Sequence, residues 1–222
     1  MHDLTLVFDL DGTLVDTAPD LIAATNHVLE QVGVPPVDVD SLRPWIGQGA
    51  KYMIEMAIGP AGAKLTPEDH DQLLERYLAY YAENIAVSSQ PFEGAVAALE
   101  RFQAAGAKLA VCTNKMERMS KTLLTELDLA RYFTVIAGRD TFDAFKPHPN
   151  HLLETIHAAG GHAARAIMIG DTGIDIATAK AANVPVIAVT FGYTDTPVRE
   201  FSPDAVIDHY RYLEPAIKEL MS

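Results

Sequence analysis

The chain has 222 residues, 49% of them apolar, with 30 acidic against 17 basic residues and a formal net charge of −13. That length holds one substantial domain or a core with a small insert, and the charge speaks against nucleic acid and anionic membrane surfaces as partners. The longest apolar runs fall far short of the ~20 residues that cross a bilayer. The lone Cys112 has no partner for an internal disulfide and lies in an apolar strand, so it reads as a buried structural thiol. His2 and Asp3 lead directly into the first strand without a basic leader, so the chain reads as soluble, and its single cysteine fits a reducing cytoplasm.

The first element is an apolar strand from Leu4 to Phe8 that runs into Asp9-Leu10-Asp11-Gly12-Thr13. In extended backbone, side chains at i and i+2 share a face, so Asp9 and Asp11 are crowded like charges at the strand end. Core packing gives no reason for that. A divalent cation does, holding one carboxylate and leaving the other for proton transfer; the plainer alternative is a polar turn. Next, Leu21–Gln31, Gly49–Ile58 and Pro67–Ile85 read as helices with no strand between them, Thr66 and Pro67 supplying an N-cap and first helical position. This predicts an all-helical insertion at 16–87 between two core segments, 1–15 and 88–222. Tyr77, Tyr80 and Tyr81, at helical spacing, read as core residues of that insert.

Beyond residue 90, strands and helices alternate. The helices are Glu93–Ala105 (closed by Gly106), Met116–Leu127, His151–Ala159, Ile174–Ala182 and Glu214–Met221. The strands are Lys108–Cys112, Val135–Ala137, Ala166–Ile169, Val186–Val189 and Ala205–Ile207. Near-continuous apolar strands alternating with helices predict an α/β fold with a parallel sheet covered on both faces. Four polar clusters then fall at or just past strand ends, where open α/β sheets bind ligands: Asp9-Leu10-Asp11, Thr113-Asn114, Lys146-Pro147 and Asp171 to Asp175. Each has an ordinary reading of its own. Thr113-Asn114 can cap a helix, Lys146 can be a solvated loop lysine, and Asp171 and Asp175 can be capping carboxylates. His148 and His151, near Lys146, read as surface residues, with a place in the pocket lining as the alternative.

The order carboxylate pair, Thr, Lys, acidic pair resembles the haloacid dehalogenase superfamily, and all four of its motif regions are present along nearly the whole chain. The resemblance implies a Rossmannoid parallel sheet with an inserted helical cap that closes over the site and selects the substrate. It makes Asp9 the nucleophile that forms an aspartyl-phosphate and Asp11 the acid, then the base. Thr113 and Lys146 hold the phosphoryl oxygens, and Gly12 and Asn114 contact the substrate. Mg2+ is the implied cofactor, bound by the Asp9 carboxylate, the Asp11 backbone carbonyl and Asp171; Asp175 orients Lys146 or a water on the metal.

Asp11 and Thr13 look like the phosphatases of that superfamily rather than its dehalogenases, phosphonate-cleaving enzymes or sugar-phosphate mutases. Thr113-Asn114-Lys115, Lys146-Pro147-His148-Pro149, Arg43-Pro44-Trp45-Ile46-Gly47-Gln48-Gly49 and Phe191-Gly192-Tyr193 resemble the branch that converts 2-phosphoglycolate to glycolate and phosphate. Gly138-Arg139-Asp140 departs from it, with a bulky cation where small or acidic residues are usual. The implied partner is a small phosphorylated metabolite, met by an otherwise acidic chain through the metal, Lys146, Lys115 and Arg43. Arg43 either binds the substrate carboxylate or pairs with a nearby Asp such as Asp40. A monomer or small homo-oligomer is expected. The other readings are a phosphatase of a sugar phosphate or pyrophosphate, a β-phosphoglucomutase-like phosphomutase, and a binding module that kept the fold.

Overall fold

The computed structural model describes residues 3–194 and 196–221. Strand β1 (Thr5–Phe8) is followed by the two-residue strand β2 (Val15–Asp16). Four helices come next, α1 (Ala18–Gln31), α2 (Val39–Leu42), α3 (Ala50–Ile58) and α4 (Pro67–Glu83). Strand β3 (Gln90–Pro91) returns to pair antiparallel with β2. The chain then alternates through α5 (Ala95–Ala104), β4 (Lys108–Cys112), α6 (Glu117–Glu126), β5 (Val135–Ala137) and α7 (Pro149–Ala158). It continues with β6 (Ala166–Gly170), α8 (Gly173–Ala181), β7 (Val186–Val189), β8 (Ala205–Ile207) and α9 (Leu213–Leu220).

The main sheet is parallel throughout, in the order β5-β4-β1-β6-β7-β8, so β1 lies between β4 and β6 at its centre. Alternation along the strands divides the apolar side chains between its two faces. Leu6, Phe8, Val111, Ile167 and Ile169 belong to one buried cluster, which also takes in Leu99 of α5, Leu123 of α6 and Ile217 of α9. Val7, Ala110, Cys112 and Met168 belong to the other, with Leu152 of α7 and Ile176 of α8. Burial pushes the Cys112 thiol up to about 12, so at neutral pH it stays protonated and inert, as the sequence suggests.

The expected α/β class, the covered parallel sheet and the helical insertion are all present, with element ends moved by a few residues. Helix α4 starts on a complete capping box: Thr66 Oγ1 accepts from the Asp69 amide at 3.2 Å and Asp69 Oδ2 accepts from the Thr66 amide at 2.8 Å. Helices α1 and α4 pack along one another; Tyr77 and Tyr81 of α4 are buried as expected, while Tyr80 is half-buried and stacks on His27 of α1. Two features differ from the sequence reading. The β2–β3 ribbon joins the two passages between sheet and helices, and its strands are too short to show alternation. Arg43–Gln48 and Gly59–Lys64 form 3-10 turns, which the sequence reading did not assign. Among the described residues, no helix is long and apolar enough to cross a membrane.

Candidate active site

The site begins where β1 runs out. The Asp9 amide makes the last ladder bond, to the Ile169 carbonyl at 2.9 Å, and the backbone then folds into a tight loop in which the Leu14 and Val15 amides both return to the Leu10 carbonyl. This corrects the pleat argument for the carboxylate pair. Asp11 lies in the loop, beyond the strand, and its carboxylate faces Lys115 Nζ at 2.9 and 3.2 Å while accepting from Thr17 Oγ1 at 2.7 Å. Gly12 makes the loop possible. Its φ is +81°, and any β-carbon there would collide with the Asp171 carboxylate and the Tyr193 ring.

Asp9, Asp171 and Asp175 converge, each buried, with carboxylate oxygens within 4.8 Å of one another. Lys146 Nζ stands 2.9 Å from Asp9 Oδ1 and 2.6 Å from Asp175 Oδ1. Asp171 accepts from Thr13 Oγ1 at 2.9 Å and from the Tyr193 amide at 2.7 Å. Asp175 also caps α8, its Oδ2 accepting from Thr172 Oγ1 at 2.7 Å, so the capping reading and the charge-partner reading both hold for it. One ammonium thus pairs with two carboxylates of a cluster of three.

The electrostatic consequence is large. Burial pushes the Asp9 carboxyl up to about 6 against the pull of Lys146, with Asp175 and Asp11 adding repulsion. Burial, then Asp175 and Asp9, hold Asp171 well above the usual carboxylate range. Burial alone would lower the Lys146 ammonium, but Asp175 and Asp9 override it and hold it above its ordinary value. A buried all-oxygen donor set of three carboxylates with excess negative charge fits a hard divalent cation. Asp175 joins Asp9 and Asp171 in this cluster, whereas the Asp11 carboxylate is engaged by Lys115; the ligand expected from Asp11 is its backbone carbonyl.

The strand-end segments bring the remaining groups in. Thr113 is buried past β4, its amide bonded to the Ala137 carbonyl at 3.0 Å. Asn114 Nδ2 donates to the Lys146 carbonyl at 2.9 Å, tying the two segments together, while its Oδ1 is buried without a hydrogen bond. The helix-cap reading of Thr113-Asn114 falls away, because α6 starts only at Glu117 and takes its cap from Asp140 Oδ1 at 2.8 Å. The solvated reading of Lys146 also falls away, since its side chain is only 3% exposed. His151 is a further correction. It is fully buried with Nε2 3.1 Å from the Gly138 carbonyl, and burial, then Lys146, lower it to about 4. His148 caps α7 through Nδ1.

A cavity of about 370 Å³ opens between this strand-end cluster and the helical insert. Asp9, Asp11, Thr113, Asn114, Lys146 and Asp171 form its polar floor; Ile46, Met53, Leu74, Tyr77 and Tyr81 form an apolar roof. Lys115, Lys51 and Arg139 also line it. Arg43 does not. Its guanidinium pairs with Asp16 at 3.5 Å, not Asp40, and lies 5.1 Å from the centre of the Tyr193 ring. Sequence reasoning named two tyrosines without giving them a role in the site. Tyr81 reaches Lys115 Nζ with its hydroxyl at 2.7 Å. Tyr193 holds Asp171 through its amide, and its hydroxyl donates to Asp16 Oδ1 at 2.6 Å and accepts from the Ala18 amide at 3.0 Å. The preceding Gly192 was the available signal, because a β-carbon there would overlap the Asp171 side chain.

A family model described as haloacid dehalogenase-like hydrolase matches residues 6–189, and the chain belongs to that family. It is 50% identical over 214 residues to a phosphoglycolate phosphatase of Mesorhizobium japonicum, covering 96% of this chain and 94% of that one. A phosphoglycolate phosphatase of Agrobacterium fabrum is 46% identical over 213 residues, covering 96% and 91%. Among solved structures, "a predicted phosphoglycolate phosphatase" from Haemophilus somnus 129pt superposes with a TM-score of 0.90 at 28% identity, covering 97% of this chain and 98% of that one.

Proposed function

We propose that this hydrolase is a magnesium-dependent phosphate monoester phosphatase acting on 2-phosphoglycolate, with 16–87 as a cap over a catalytic core of 1–15 and 88–222. The observation that carries the reading is the buried Asp9–Lys146–Asp175 chain beside Asp171 at the floor of a cavity. The relatives' names support the substrate. A magnesium ion held by Asp9, the Asp11 carbonyl and Asp171 would supply positive charge toward the phosphoryl oxygens.

In the first displacement an Asp9 oxygen attacks phosphorus, the bond from phosphorus to the ester oxygen breaks, and Asp11 gives the departing alkoxide its proton. In the second, Asp11 takes a proton from water as the water oxygen attacks phosphorus, and the aspartyl–phosphorus bond breaks to release phosphate and restore Asp9. Lys146 lets an anionic carboxylate meet an anionic phosphate, and Thr113 and Asn114 offer polar groups to the phosphoryl oxygens. A single cysteine, with no partner for an internal disulfide, supports a reducing, cytoplasmic location.

The test is free-phosphate release from a panel of monoesters, with magnesium and after chelation. The panel spans 2-phosphoglycolate, sugar phosphates, pyrophosphate and an aryl phosphate, the last because the cavity roof is apolar. Magnesium-dependent release that is fastest from 2-phosphoglycolate is the expected result. Full activity in excess chelator overturns the metal role, and a sugar phosphate returned with its phosphate moved identifies a mutase.

A further inference from the structure

The substrate proposed above carries two anionic ends, and the cluster around Lys146 accounts for only one. The far carboxylate needs a cation, and with Arg43 turned to Asp16 three cations besides Lys146 line the cavity among the described residues. Lys51 is largely exposed, with only Asp71 at 3.9 Å. Arg139 is exposed and lies over the Phe145 ring at 4.0 Å. Lys115 is different: its side chain is 7% exposed, Nζ is 2.9 and 3.2 Å from the two Asp11 oxygens and 2.7 Å from the Tyr81 hydroxyl, and it sits 4.5 Å from the centre of the Tyr81 ring. It therefore joins the polar floor of the cavity to helix α4 of the roof.

We infer that Lys115 is the specificity-determining residue of this site, binding the substrate carboxylate by exchanging it for Asp11. The inference rests on the phosphatase reading and follows from connectivity. Phosphorus must lie at Asp9 and the ester oxygen must face Asp11, so a carboxylate one methylene beyond that oxygen arrives beside the group that Asp11 already touches. An ammonium has three donors, and Asp11 and Tyr81 occupy them. A substrate carboxylate is an acceptor of the same kind as Asp11 and takes its place, leaving Asp11 free to turn to the ester oxygen. Tyr81 keeps its hold on Nζ throughout, so the ammonium stays at the cap side of the cavity. A neutral alcohol of equal size offers no such exchange and leaves Asp11 tied to Lys115. The contact forms in a largely desolvated place, where a charge-assisted pair is stronger than at the surface.

Ethyl phosphate matches 2-phosphoglycolate except for the carboxylate, so the ratio of kcat/KM on the two esters isolates this contact. The experiment measures that ratio, with magnesium, for the full chain and for Lys115→Met, Lys115→Arg, Arg139→Ala and Lys51→Ala. The wild type favours 2-phosphoglycolate. Lys115→Met loses at least about tenfold more on 2-phosphoglycolate than on ethyl phosphate, the size of one charge-assisted contact. Lys115→Arg keeps part of the preference, and the other two variants keep most of it. An undiminished preference in Lys115→Met, equal losses on both esters (total loss included), or a preference that collapses in Arg139→Ala or Lys51→Ala instead overturns the inference. A wild type that ignores the carboxylate overturns the 2-phosphoglycolate reading itself, and that result needs no variant.

Discussion

Lys146 and Arg43 are both cations set against carboxylates, one on the floor of the cavity and one where the chain passes between sheet and helices. Lys146 is 3% exposed and within 2.9 Å of two carboxylates that are themselves buried. Arg43 and Asp16 are each about a third exposed and meet at 3.5 Å. The geometry of a pair says little without its surroundings. In the first case, removing a partner strands charge in a largely desolvated place; in the second, solvent takes over. The floor is therefore where substitutions should be severe, and the passage is where they should be mild.

The sharpest test of the floor is Asp9→Asn. A neutral amide cannot form the aspartyl-phosphate, so kcat should drop by about a thousandfold or more, as for other lost nucleophiles. The thermal midpoint should stay at or above that of the wild type, because one of three crowded carboxylates has lost its charge. Retention of more than a few per cent of activity in a purified, folded variant would remove Asp9 from its role.

Lys146→Met asks whether the floor is also structural. Asp9 and Asp175 would lose the ammonium between them, and unfolding in urea should show a loss of about 3–5 kcal/mol alongside the loss of turnover. The deficit should shrink as pH falls, because Asp9 and Asp171 have raised values and take up protons early. A variant as stable as the wild type at neutral pH would mean that the carboxylates are already protonated or otherwise compensated.

A third test uses pH alone. His151, behind the floor, is held at about 4 against an ordinary value of 6.5. In that window the unfolded chain binds a proton that the folded chain refuses, so this residue's contribution is intact above pH ~6.5 and is lost as pH falls toward ~4. The full effect is on the order of 3 kcal/mol. Urea melts across this range for wild type and His151→Gln should diverge, the variant showing the flatter profile. Parallel profiles would contradict the burial argument.

The mildest expected change is at the passage. Arg43→Ala should cost no more than about 1 kcal/mol of stability. It should also change turnover of 2-phosphoglycolate and of an aryl phosphate to the same small degree, since Arg43 does not line the cavity. A selective tenfold loss on 2-phosphoglycolate would show that Arg43 leaves Asp16 to meet the substrate, and would erase the contrast with Lys146.

Local patterning determined the frame of this protein. Strands such as Val186–Val189 are apolar at every position because both faces of a parallel sheet are covered, and that is visible in four consecutive residues. Three of the clusters at strand ends were legible for the same reason: Asp9, Thr113 and Asp171 each interrupt an apolar run or follow one directly, where side chains must leave the sheet. Partner choice was not legible. Lys115 meets Asp11 across 104 positions and Thr13 meets Asp171 across 158, and no periodicity carries information over such distances. The same holds for Arg43, whose guanidinium could reach several carboxylates and is assigned to Asp16 only by the fold around Tyr193. It holds as well for His151, which looks like a surface residue until α7 turns it beneath the Gly138 carbonyl. Which residue types the chemistry needs can be read along the chain, because each is set by its own short segment. Which of them touch is a property of packing, because desolvation and charge pairing are decided by whatever the fold brings alongside.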